Sequence, residues 1–162
     1  TSELPTEYMD WVRNAMEDSE AKELPFYGLY NVKEQNGFSS YSMKIDEEIA
    51  LLAEWAKNLN ESLENENLTQ AEMNETSAEL YATWDSALNL IWSELKEELP
   101  DDEFSKLLDE QRVWISDKEK AVEEAGAGYE GGSMYALIVN MEAANITEKR
   151  VYELYEIYQQ LQ

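Results

Sequence analysis

Ile45, Ile49, Leu52, Ala56, Leu59 and Leu63 recur at spacings of three and four, the period that gathers side chains onto one face of an α-helix. Three further stripes follow. Met73, Leu80, Trp84, Leu88, Ile91 and Leu95 form the second, with Tyr81 and Trp92 at its edge. Phe104, Leu108, Gln111, Ile115 and Val122, with Trp114 alongside, form the third. Leu137, Met141, Ala144, Thr147, Val151, Leu154 and Tyr158 form the fourth. A one-sided helix must bury its stripe against another, so four in succession predict an all-α chain.

The punctuation between the stripes supports that reading. Asn65-Glu66-Asn67 breaks the first, and Thr69-Gln70-Ala71-Glu72 has the form of a capping box, in which Thr and Glu satisfy backbone N–H groups that a helix start leaves unpaired. Pro100 stops the next helix, and Asp101 or Asp102 is placed to cap the one after. Ala125-Gly126-Ala127-Gly128 and Gly131-Gly132-Ser133 then make a tight connection. Upstream, Pro5 with Met9, Val12 and Met16 predicts a short helix over about 6–22. Asn36-Gly37 lies among residues of high strand propensity, so a small β-hairpin near residues 29–43 and an aromatic-rich loop are equal alternatives. The expected architecture is an antiparallel bundle of about four to five helices, with 1–68 as a helical extension packed on a domain of 69–162.

Charge narrows the function classes. With 36 acidic against 12 basic residues the net charge is -24, which repels nucleic acid and anionic membrane surfaces and suits a basic protein partner. The chain has neither cysteine nor histidine, so thiol nucleophiles, histidine-dependent triads, thiolate clusters and the common zinc sites are excluded. No calcium loop with alternating Asp and Asn ligands is present, and no metal or cofactor is expected. Carboxylates abound, but Asp101, Asp102 and Glu103 cluster where a helix begins, which points to the helix dipole rather than to a glycosidase pair. The sequons at Asn60, Asn67, Asn74 and Asn145 are read as chance and cap chemistry. The apolar runs are too short for a transmembrane span. Thr1 in place of an initiator methionine is taken to mark a processed N-terminus.

Polar residues on or beside the apolar stripes carry more information. Gln111 lies between Leu108 and Ile115, Thr147 sits on the last stripe, and Asp85 and Arg150 flank theirs; Tyr81, Asp85 and Asn89 share one helical edge. A buried polar group without a partner costs about 1–3 kcal/mol, so these residues are expected to meet. Asp85, Gln111 and Arg150 form the expected network, with Asp85–Arg150 as its ion pair because a guanidinium fork matches a carboxylate. Exposed loop acids and aromatics, Asp101, Asp102, Tyr129 and Glu130, are the candidate binding surface.

Five segments resemble one known family. They are Thr69-Gln70-Ala71-Glu72-Met73-Asn74; Tyr81 with Asp85, Leu88, Asn89, Trp92 and Leu95; Gln111-Arg112 with Trp114; Gly131-Gly132-Ser133; and Thr147-Glu148 with Arg150 and Leu154. Together, over 69–161, they resemble the bacterial LprI-like lysozyme inhibitors, small secreted or lipid-anchored helical domains. The resemblance implies a non-enzymatic protein outside the cytoplasm whose partner is a basic protein such as a lysozyme. The alternative is a structural or assembly protein of the cell envelope, with the aromatic N-terminal segment as its docking element. Within the resemblance, Met73, Asn74, Tyr81, Asp85, Leu88, Asn89, Gln111, Trp114, Gly131, Gly132, Ser133, Thr147 and Arg150 read as architecture. Typical members carry cysteines at positions like Thr76, Val122 and Glu142, so this chain must hold its helices by packing and polar contacts alone.

Overall fold

A computed structural model describes residues 44–162; the expected helix over 6–22 and the hairpin or loop near 29–43 lie outside the described residues. Four helices make up the described part: α1 (Ile45–Asn65), α2 (Gln70–Glu98), α3 (Asp101–Gly126) and α4 (Tyr135–Gln160). The chain is an all-α bundle, and no strand occurs among the described residues.

The helix starts obey local chemistry. The Thr69 side chain accepts from the Glu72 backbone N–H at 3.2 Å, and the Glu72 carboxylate accepts from the Thr69 N–H at 2.7 Å, completing the expected capping box of α2. At α3 the expected Asp cap is absent. Pro100 takes the cap position, and Asp101, Asp102 and Glu103 occupy the first turn, where negative charge complements the helix dipole.

The stripes become the core. Ile45, Ile49, Leu52, Ala56 and Leu59 of α1 pack with Leu80, Trp84, Leu88, Ile91 and Leu95 of α2 and with Val151, Leu154 and Tyr158 of α4. Each large aliphatic side chain so buried contributes about 1.5–3 kcal/mol against conformational entropy. In α3 the buried aliphatic is Leu107, whereas Leu108 is half-buried, a rotation of one position within the same stripe.

Helix α2 is covered on more than its stripe. Ala82, Thr83, Trp84, Asp85, Ala87 and Leu88 are all buried, so at this level neighbours surround it. Its principal neighbour is α4, which runs parallel to it. The Asn140 amide donates to the Ser77 hydroxyl, 63 residues away, and the Gln162 amide to the Glu98 carboxylate, 64 away. A nearly constant offset is the mark of two parallel helices. Consecutive helices alternate in direction, and the return through α3 permits the parallel pair.

Candidate functional site

Helix α3 packs on α4 and diverges from α2. The space between the three helices is a cleft of about 480 Å³. Tyr81, Asp85 and Leu88 of α2, Trp114, Lys118 and Val122 of α3, and Tyr135, Val139 and Asn140 of α4 are among its walls.

The side chains on its floor are unusual for the middle of a bundle. Asp85 is only 1% exposed, and neither carboxylate oxygen has a hydrogen-bond partner in the protein. Burial pushes its carboxyl up to about 7, with the Lys118 charge opposing that rise. Lys118 crosses from α3. Its Nζ donates to the Tyr81 hydroxyl at 2.8 Å and lies 5.1 Å from the centroids of both the Tyr81 and the Trp114 rings. Two aromatic faces and a hydroxyl thus form a partial cage around an ammonium group, a cation–π arrangement. Burial lowers the Lys118 pKa, and the charges of Asp85 and Glu119 oppose that fall. Burial also raises the Tyr81 hydroxyl, reinforced by Asp85 and Glu119.

The expected Asp85–Arg150 ion pair does not form. Arg150 donates through Nε to the Gln111 side-chain oxygen at 2.8 Å, and its NH1 pairs at 3.1 Å with Glu153, one turn along α4. The network of Gln111 with Arg150 is therefore real, and Asp85 stands apart from it. Gln111 Nε2, Thr147 Oγ1 and Arg150 NH2 are buried without hydrogen-bond partners. The cation whose field reaches Asp85 is Lys118, a residue outside the expected network. A signal for it existed: Lys118 lies four residues after Trp114 and four before Val122, on the stripe itself, the criterion that singled out Gln111 and Thr147.

The other anticipated residues separate into groups. Leu88 is core, Tyr81 and Trp114 are partly buried against the core, and Met73 and Asn89 are half-buried. Asn74 and Ser133 meet, the Asn74 amide donating to the Ser133 carbonyl at 3.2 Å, which ties the start of α2 to the turn before α4. Gly131 adopts φ +76°, a left-handed conformation in that turn. The proposed binding quartet is not one surface. Asp101 and Asp102 begin the 26-residue α3, whereas Tyr129 and Glu130 follow its end, so the two pairs are about 40 Å apart.

A family profile described as lysozyme inhibitor LprI matches residues 61–154. The chain belongs to this family. The matched span takes in the last turn of α1, all of α2 and α3, and most of α4, and thus every wall of the cleft. A search of curated proteins and a search of solved structures found no match. Among the described residues no helix of this LprI-family chain is long and apolar enough to cross a membrane.

Proposed function

We propose that this chain is an extracytoplasmic, acidic protein-binding module that inhibits a lysozyme by occupying it, with no chemistry of its own. The observation that carries the reading is the family match over 61–154. In this reading residues 1–68 extend the family domain, and the α1 stripe they include packs against α2 and α4.

Charge supports the choice of partner. Common lysozymes are basic, and a chain of net charge -24 attracts a basic protein from a distance, raising the association rate more than the final affinity. Exposed acids such as Asp101, Asp102 and Glu130 contribute to that field without forming one contact surface.

The test is lysozyme turnover of cell walls at low and at moderate salt, with the chain added in excess. Inhibition should be present at low salt and weaken as the Debye length shrinks from ~30 Å at 0.01 M to ~8 Å at 0.15 M. Unchanged turnover at both ionic strengths refutes the lysozyme assignment.

A further inference from the structure

Four features of the cleft point the same way. Asp85 offers a carboxylate whose two oxygens are buried and have no protein partner. The volume beside it, about 480 Å³, is ample for the end of one long side chain. Glu119 and Glu123 line the same cleft, so its carboxylates outnumber Lys118, its single cationic wall residue. Finally, the cleft already holds an ammonium group: Lys118 Nζ rests on the Tyr81 hydroxyl and over the rings of Tyr81 and Trp114.

A buried carboxylate is costly unless a cation or hydrogen-bond donors compensate it. Lys118 influences Asp85 through its field and makes no hydrogen bond to it, its ammonium being drawn to the Tyr81 hydroxyl instead. An incoming guanidinium has donors to spare for both Asp85 oxygens and a flat face to lay on Trp114. Lys118 has a long, flexible stem, and its ammonium already feels the charge of Glu119, which is exposed.

We propose that the cleft between α2, α3 and α4 is an anchor pocket for one basic side chain, Arg before Lys, of a protein partner. Asp85 is its counter-charge, Tyr81 and Trp114 are its aromatic walls, and Lys118 is the internal cation that it displaces. The assignment rests on the reading above that the partner is a basic protein, and it deepens that reading by naming where the partner is held.

Opposite effects of two substitutions distinguish this from a structural role. Asp85→Asn keeps the side-chain shape and removes the counter-charge. Lys118→Met keeps the aliphatic stem and removes the competitor. The full chain, labelled with 15N, is titrated with Nα-acetyl-arginine amide, and with Nα-acetyl-norleucine amide as the neutral control, while the Trp114 indole N–H resonance is followed. The arginine amide should shift that resonance in the wild type, bind at least about 10-fold tighter to Lys118→Met, and lose at least about 10-fold in Asp85→Asn. The norleucine amide should leave the resonance in place. No shift in either the wild type or Lys118→Met, or equal affinity in Asp85→Asn, overturns the pocket.

Egg-white lysozyme is then titrated into the same three proteins. Binding that weakens in Asp85→Asn and tightens in Lys118→Met supports the pocket as the partner's anchor, and binding equal in all three overturns it. A wild type that takes the arginine amide but not lysozyme upholds the cation pocket and refutes the lysozyme reading, so the two failures are distinguishable.

Discussion

Asp85→Asn also makes the stability of the fold less dependent on pH. Folding holds the Asp85 carboxyl near 7, against an ordinary value of 3.8. Below the ordinary value both folded and unfolded chains carry the proton, and the group has no effect on stability. As pH rises, the unfolded chain releases its proton first, and the native state loses about 1.4 kcal/mol per pH unit until the folded carboxyl ionises in turn. A gap of about three pH units therefore costs about 4 kcal/mol, complete near pH 7 and constant above it. Roughly 3 kcal/mol of that lies above pH 5, where exposed carboxylates are already ionised. Burial also raises Glu79 and Glu148, but both are present in wild type and variant and cancel in the difference. Urea unfolding at about pH 5 and about pH 8 gives the measurement. The wild type should lose about 3 kcal/mol more than Asp85→Asn between the two conditions. Equal losses would refute a buried, uncompensated carboxylate at this position.

Three substitutions test the frame that holds the cleft. Leu88→Ala removes a buried side chain from the face of α2 beside the pocket and should cost about 2–5 kcal/mol in urea unfolding, a loss under about 1 kcal/mol arguing against its burial. Thr69→Ala breaks the capping box and should destabilise by about 1 kcal/mol, read as a lowered thermal midpoint, with no change in arginine-amide affinity. Gly131→Ala forces a Cβ into a backbone at φ +76°, although the space around it is open, so calorimetry should show a loss of about 1 kcal/mol from conformation alone.

Helix identity and the facing of each stripe were legible because a 3.6-residue period is a local property. The capping box of α2 and the α1 stripe, buried from Ile45 through Leu59, follow from residues within one or two turns of each other. Which helix a stripe meets is not local. Nothing in the spacing of Ser77 or Asn140 shows that α2 and α4 lie parallel with an offset of 63. Asp85 stands out in the sequence as a polar residue beside an apolar face, and it is buried as that position implies, but its partner depends on which helices meet. A guanidinium suits a carboxylate in general, but Arg150 meets Gln111 between α3 and α4, while Lys118, two turns further along the same face of α3, is the cation whose field reaches Asp85. Asp101 and Asp102 lie at one end of the 26-residue α3 and Tyr129 and Glu130 beyond the other, a separation set by the length of the helix.

The cleft and the missing cysteines bear on each other. The resemblance to LprI-like proteins implies cysteines at positions like Thr76, Val122 and Glu142, and this chain has none. Tyr81 and Lys118 are level across the antiparallel pair α2 and α3, since the Lys118 ammonium bonds the Tyr81 hydroxyl. In this chain α3 is held instead at its ends and along α4. Phe104 packs on Trp92 with ring centroids 5.1 Å apart, Gln111 accepts from Arg150, and Gly126 leaves room for the Tyr135 ring. Between those anchors one tie from α3 to α2 is Lys118 on Tyr81, a hydrogen bond that, in the proposed pocket, another cation can replace. Val122 contributes an apolar wall to the cleft. A chain without cysteines thus joins α2 and α3 at this level through a lysine contact that is not covalent, beside an aspartate whose oxygens have no hydrogen-bond partner, and that is the arrangement the proposed pocket needs in order to exchange one cation for another.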